Sequence, residues 1–469
     1  MLFNSTVFLL FFFITLTLHW AIRKNTYRNL LLLVASYIFY GWWDYRFLLL
    51  LFASSLVDYL CGLGLAKEGW QRPRTRKLIL SVSLSVNLGL LLFFKYFNFF
   101  VESSAAFLRV LGFSPHMPAL NIILPVGISF YTFQTMAYAL DVYRYAIPAT
   151  KEPLPYFLYV AYFPQLVAGP IERAGNLMPQ FMRERHFDMD MVQKGFRCML
   201  WGYVLKCVVA DNLAVVVDGV FADLARCSGG QIVFGVYCFA FQIYGDFAGY
   251  SYIAMGASLF FGVRLTQNFR SPFFSESVRD FWKRWNISLM NWLRDYVYIF
   301  ALGGRIKPVS RWAGNVLITF VASGLWHGAQ WTFIVFGLVN GVFYFMKKPF
   351  RQENAAARFL NMTATFHLFC CGLVFFRAAT LSDALAAYRN VFRSLGGASV
   401  LLPDHAFCGR AFFLMGLVVF VEWVQRKRED AVAIERVPAW GRFLIYLVFL
   451  TLLFVFGNFN HAPFIYFQF

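Results

Sequence analysis

The stretch NFRSPFFSESVRDFWKRWNISLMNWLRDYVYIFALGGRIK, residues 268–307, is too charged to cross a bilayer as a helix and too aromatic to be a solvated loop. Such a segment is tolerated at membrane depth only where it is buried in protein or lines a wet cavity. It therefore predicts an all-α polytopic membrane protein, a helical bundle holding a re-entrant or interfacial insert. The flanking sequence agrees. Hydrophobic residues make up 59% of the 469 positions and charged residues 14%, against roughly 25% charged in a soluble domain. At least eight apolar runs reach or approach membrane-spanning length, and none alternates with the period of two of a barrel strand.

Spans are expected near residues 3–22, 29–43, 47–65, 78–100, 121–140, 154–170, 196–217, 231–262, 314–346, 364–376, 410–424 and 443–457. No repeat period or dividing linker interrupts them, so residues 1–469 are expected to form one integral-membrane domain. The segment RERHFDMDMVQKGFRCMLWGYVLKCVV, residues 183–209, mixes Arg183, Arg185, Lys194, Arg197 and Lys206 with helically spaced apolar positions. That pattern suits a helix lying at the cytoplasmic interface before it turns inward.

A net charge of +18 would fit a nucleic-acid binder, but the basic residues fall in short blocks between apolar runs. The positive-inside rule accounts for that distribution. RKNTYR (residues 23–28) and KEGWQRPRTRK (residues 67–77) are then cytoplasmic, separated by two spans, and the N-terminus starts outside. The first apolar run has no basic segment before it and is read as a retained span. EWVQRKREDAVAIERVPAWGR, residues 422–442, should also be cytoplasmic, so the following run crosses outward and leaves both termini extracytoplasmic. Eight cysteines show no CxxC spacing, which indicates neither a metal site nor a disulfide framework.

Of seven histidines, His19, His116, His186, His367 and His405 read as ordinary core or surface residues. His327 differs. It lies in SGLWHGAQW at the end of an apolar helix, between Gly324 and Gly328, which permit close backbone approach, and between Trp326 and Trp331. An imidazole can take a proton from a hydroxyl near neutral pH, and a histidine within the membrane region is a functional-site hypothesis. Upstream, RDFWKRWNISLMNWLRDY sets Asp280, Lys283, Arg284, Asn286, Arg294 and Asp295 among aromatics. An interfacial amphipathic helix accounts for that composition equally well. The chain ends on HAPFIYFQF, whereas termini are usually polar and frayed.

The segments RNLLLLVASYIFYGWW, ILPVGISFYTFQTMAYALDVYR, FPQLVAGPIER, YGDFAGYSYIAMGASLFFGVRLTQNFRSPFFS, DFWKRWNISLMNWLRDYVYI, GLWHGAQWTFIVFGLVNG and the terminal PFIYFQF together carry a resemblance. The chain resembles the membrane-bound O-acyltransferases, in the branch of alginate O-acetyltransferases and their D-alanine-transferring relatives. The resemblance implies a central tunnel, with His327 of the WHG motif as catalytic base. It places Asn286 at the polar position of the FWxRW(H/N) motif, where an amide can orient an acyl carbonyl but cannot act as a base. Tyr252 stands where relatives often carry a carboxylate, although Asp246 is retained, and Met290 and Phe300 stand where relatives favour serine and proline.

The resemblance also implies a cytoplasmic acyl thioester donor such as acetyl-CoA and no bound cofactor. Lys283, Arg284, Trp285, Arg294 and Trp326 are the expected donor-binding residues, the cations offering charge to phosphates. Expected partners are a periplasmic acetyltransferase and an envelope or secreted polysaccharide, whether alginate-like, cellulose or peptidoglycan, with the enzyme in a bacterial inner membrane. In the D-alanine-transferring relatives a similar aromatic motif lies on a small separate protein, to whose tyrosine an acyl-carrying role is assigned. Tyr466 is then a relay nucleophile or, on the plainer reading, part of a hydrophobic plug. A tyrosine hydroxyl is ionised to only about one part in a thousand at pH 7, so a relay needs a base. Two alternatives remain: a transporter or channel for a small solute, disfavoured by the lack of matched broken repeats, and an acyltransferase acting on a lipid or protein.

Overall fold

The computed structural model describes residues 1–114, 120–167, 169–351, 354–395, 405–428, 432–459 and 464–465. Helices start where the sequence supplies a signal. Ser5 caps α1 (Thr6–Ala21) by accepting the Phe8 N–H. After α2 (Asn25–Gly41) and α3 (Arg46–Ala66), a first-turn proline opens α4 (Pro73–Leu91). A π-helical turn at Leu92–Tyr96 then carries α4 into α5 (Phe97–Val110). Next come α6 (Ile128–Tyr143), α7 (Pro153–Ala161), α8 (Phe163–Leu166) and α9 (Ala174–Met182). A second π-helical segment, Val204–Ala210, joins α10 (Met189–Tyr203) to α11 (Asp211–Phe221). Ser228 and Gln231 form a reciprocal capping box at the start of α12 (Gly229–Phe260).

The short helices α13 (Val278–Trp282) and α14 (Ile287–Trp292) lie within the insert, which ends in a third π-helical segment, Leu293–Ala301. The remaining helices are α15 (Val309–His327), α16 (Trp331–Phe343), α17 (Ala355–Arg377), α18 (Leu381–Leu395), α19 (His405–Gln425) and α20 (Ala439–Phe456). No strand occurs among the described residues. Among the described residues, six helical stretches are long and apolar enough to cross a membrane: α3, α4 with α5, α12, α17, residues 408–425 of α19, and α20. The chain is an all-helical, multi-pass membrane protein. At its centre runs α12, 83% of whose spanning window is buried, against 11% for α20 at the periphery.

Three sequence expectations change. The run 314–346 is two helices, because the chain is extended at Gly328 and Gln330 and turns back on itself. The run 154–170 breaks into α7 and α8, since Pro164 cannot donate the hydrogen bond that would continue α7. The segment 183–209 does not lie flat at an interface. Its helix α10 packs against α12 along a glycine seam: a Cβ on Gly195 would fall 2.8 Å from the Gly256 carbonyl, and one on Gly202 would fall 2.7 Å from that of Gly249. Small residues that let two backbones meet in this way hold helices together in membranes, where burial of apolar surface drives little.

The insert is buried in protein, as its composition requires. Arg270 N–H donates to the Arg284 carbonyl at 3.0 Å and Ile287 N–H to that of Asn268 at 2.9 Å, closing the segment on itself. Asn268 Nδ2 donates to Ser251 Oγ of α12, Ile171 N–H to Ser288 Oγ, and Trp292 Nε1 to the Phe133 carbonyl of α6. Basic and polar side chains tie many helix ends together at one end of the bundle. There Trp20 reaches the Phe260 carbonyl, Arg28 that of Arg185, and Arg76 that of Tyr143. At the opposite end the N-terminal ammonium donates to the Phe39 carbonyl and Tyr40 to that of Val126.

Candidate active site

His327 is the last residue of α15, and its placement follows from glycines. A Cβ on Gly324 would fall 2.1 Å from the Phe333 carbonyl oxygen, and one on Gly337 would fall 2.4 Å from that of Phe320. The α15–α16 hairpin therefore closes at backbone contact. A Cβ on Gly328 would likewise meet the Phe333 ring at 2.2 Å, so the close approach expected around the WHG motif is present. His327 is 4% exposed and packs edge-on against Trp326 at 5.1 Å, Phe376 at 5.1 Å and Phe336 at 6.0 Å.

The last turn of a helix leaves carbonyls without intrahelical partners. Here they are met from the π-helical turn Leu92–Tyr96: Lys95 Nζ donates to the Trp326 carbonyl at 2.6 Å and to that of His327 at 3.1 Å, and Tyr96 OH donates to that of Leu325 at 2.7 Å. A cation at this position also complements the negative end of the helix dipole. Helical irregularities of this kind often mark functional sites. Lys95, Ser129, Phe130, Trp326 and His327 line a small, partly open cavity of about 40 Å³. Gly127, with φ +74°, turns the chain into α6 on the cavity wall, where a Cβ would sit 2.7 Å from the Leu166 carbonyl. Val126 and Val167 also line an adjoining hollow formed by Met1, Ser5, Tyr40 and Trp43, so the site lies toward the end opposite the basic loops.

Asn286 occupies the left-handed region at φ +43°, ψ +54°, which asparagine tolerates better than most residues. It is 2% exposed, and neither its amide oxygen nor its nitrogen has a hydrogen-bond partner among the described residues. The Trp282 indole N–H four residues earlier is also buried without a partner among the described residues. Native interiors rarely leave such groups unmet, so an unpartnered buried amide is an argument for a ligand or ordered water. Trp282 packs on Phe336, which packs on His327, and this aromatic shell links the two positions.

The expected donor-binding residues do not form one cluster. Lys283 and Arg294 are exposed; Arg284 pairs with Asp280 at 3.1 Å and Arg294 with Asp295 at 2.8 Å. Trp285 is core, stacked on Phe281 and packed against Phe369 at 5.0 Å. Trp326 lines the cavity beside His327. Tyr466, together with Phe467, Phe469 and His116, lies outside the described residues, as does the His405 side chain. The two described tail residues, Phe464 and Ile465, are 0% and 4% exposed, so the chain is tied down there as its composition suggested.

Sequence reasoning missed Lys95, although a single cation in LLLFFKYFNFF was a signal. It also assigned Lys206 to an interface, whereas the side chain is buried between Asp211 and Asp246. Tyr252 is buried within hydrogen-bonding reach of Gln267 and Tyr244, and Tyr244 in turn donates to Glu422 of α19. A carboxylate thus reaches this neighbourhood from a different helix.

Comparison with known proteins fits this geometry. The model of the MBOAT, membrane-bound O-acyltransferase family matches residues 37–370. The chain is 37% identical to a protein of Pseudomonas putida named "Probable alginate O-acetylase AlgI", with all of both chains covered. It is 32% identical to the peptidoglycan O-acetyltransferase of Helicobacter pylori over 85% of this chain and 81% of that one. It is also 27% identical to the teichoic acid D-alanyltransferase of Bacillus subtilis, over 56% of this chain and 71% of that one. The WHG histidine at the end of a glycine-sealed hairpin, the buried asparagine of the insert and the match over most of the chain lead to one assignment: this protein belongs to the membrane-bound O-acyltransferase family.

Proposed function

We propose that this enzyme takes an acetyl group from a thioester donor, acetyl-CoA, at the basic, cytoplasmic end of the bundle. It passes the group through a central tunnel to the opposite, extracytoplasmic face. A periplasmic partner acetyltransferase then places it on an envelope or secreted polysaccharide in the alginate or peptidoglycan class. The observation that carries the reading is the cavity at His327, which lies toward the end opposite the basic loops while the family chemistry needs a donor made in the cytoplasm.

His327 takes the proton of the attacking hydroxyl, whose oxygen bonds to the thioester carbonyl carbon. Asn286 donates to the carbonyl oxygen as negative charge develops there. The tetrahedral intermediate collapses, the carbon–sulfur bond breaks, and the departing thiolate recovers the proton from the imidazolium, giving an oxygen ester and free CoA thiol. The attacking hydroxyl is that of Tyr466, which carries the group onward before the acceptor receives it. Two observations support this: the preceding residues Phe464 and Ile465 are buried, and Phe464 packs on Tyr250, an aromatic setting of the kind that keeps water from an ester.

The test is the intact mass of the purified full-length protein after incubation with acetyl-CoA, comparing wild type, Tyr466→Phe and His327→Ala. One acetyl adduct that maps to Tyr466 and is absent from both variants is the expected result. If wild type turns over donor with its partner and acceptor yet never gains an adduct, the relay is wrong and acyl transfer is direct.

A further inference from the structure

Lys206 lies in the π-helical segment Val204–Ala210 and is 1% exposed. Its ammonium stands 2.6 Å from Asp246 Oδ1 on α12 and 2.8 Å from Asp211 Oδ1 on α11. One cation against two carboxylates leaves carboxylate oxygens to be met by other donors, in a setting where an unmet buried acceptor is costly. The second Asp246 oxygen, Oδ2, accepts the main-chain N–H of Ile465 at 2.6 Å. Phe464 beside it packs on Tyr250 at 4.6 Å and Phe247 at 5.7 Å. The same π-helical segment and the first turn of α11 hold the chain where it leaves α20: Asn458 N–H donates to the Cys207 carbonyl at 2.9 Å, and Asn212 Nδ2 donates to the carbonyl of Phe456.

We propose that Lys206, Asp211 and Asp246 form a dock for the C-terminal segment, in which Asp246 is a positioning residue that fixes the register of the tail. Lys206 pins one carboxylate oxygen, so the other has a fixed direction, in which it meets the Ile465 N–H. Every non-proline residue offers the same N–H, so the bond fixes register together with the Phe464 ring, whose seat on Tyr250 and Phe247 selects which N–H meets Asp246. A slip of one residue would remove Phe464 from its aromatic seat and shift every following side chain. The consequence for Tyr466 rests on the relay reading; the dock itself requires only that the tail be seated.

The test uses full-length protein assembled by ligating a synthetic C-terminal peptide in which the Ile465 amide is an ester, so that the N–H alone is lost. It is compared with Asp246→Ala and with the combination, reading the rate at which carboxypeptidase trims the C-terminus by intact mass. Each change alone is expected to speed trimming about tenfold, the worth of one buried charge-assisted hydrogen bond, and the combination should be no faster than the faster single change. Multiplied effects would overturn the dock, as would an ester chain trimmed at the wild-type rate. Asp246→Ala also takes one of its two carboxylates from Lys206 and can misfold; the ester leaves all three side chains intact and decides alone. A trimming response without an acetyl adduct on the protein would leave the dock standing and sink the relay.

Discussion

Replacing Gly324 by alanine adds one methyl group where the α15 and α16 backbones touch. The new Cβ would sit 2.1 Å from the Phe333 carbonyl oxygen, and ordinary contact begins near 3.4 Å, so the backbones have to part by about 1.3 Å (3.4 − 2.1). The obstructing atom is main chain and cannot turn aside. Overpacking of this kind costs about 1–3 kcal/mol. The catalytic cost is larger, because His327 lies one helical turn further along the same helix and a displacement near 1 Å at a catalytic group lowers rates ~100-fold. We therefore expect Gly324→Ala to fold, to melt earlier, and to lose acetyl transfer far beyond what its stability explains. Gly314→Ala on the same helix is the control, since its Cβ would meet nothing within 4 Å. Helix propensity predicts that it gains up to about 1 kcal/mol and keeps its rate. Thermal unfolding in detergent and steady-state acetyl transfer measure both. Wild-type turnover in Gly324→Ala would refute the claim that backbone contact in this hairpin positions His327.

Other expectations concern single side chains. Asn286→Gly keeps the left-handed backbone without strain and removes an amide with no internal partner, so stability should change little while kcat falls ~100-fold or more; equal loss of both would mark Asn286 as structural. Lys95→Met strips the donor from the Trp326 and His327 carbonyls and should cost about 1–3 kcal/mol and speed amide exchange at the end of α15, with unchanged stability and exchange as the contrary result. Lys348 and Arg358 hold the Glu276 carboxyl below the ordinary glutamate value, at 2.7 and 2.9 Å. This depressed group contributes stability above its unfolded pKa and loses it as pH falls through the folded one. Glu276→Gln should therefore lower the melting temperature slightly at neutral pH and not in acid, flattening the acid limb, and the effect should be small because both cations are about half exposed and solvent screens them.

What the sequence made legible was whatever depends on local chemistry. The glycines around His327 announced close approach, the composition of residues 268–307 required burial, and the apolar, aromatic ending HAPFIYFQF signalled a tail tied to the protein. What stayed hidden depends on partners distant in the chain. Lys95 and the carbonyls it serves are more than two hundred residues apart. Lys206 looked interfacial because the carboxylate opposite it lies forty residues away on α12. Hydropathy cannot separate one long span from a hairpin of two shorter helices, which is why 314–346 read as one element. The basic residues of the insert read as a donor site by charge alone, while packing places Trp285 in the core and pairs Arg284 with Asp280.

The central claim is that an acyl group enters at the basic end and leaves at the other through His327. Inside-out membrane vesicles expose the cytoplasmic face, so labelled acetyl-CoA added outside presents the donor there, and label on lumenal polysaccharide reports passage. The wild-type protein with its partner transferase should label the lumenal polymer, and His327→Gln, matched for expression and melting temperature, should label none. Equal labelling by His327→Gln, or labelling only when donor is supplied to the lumen, would contradict the account.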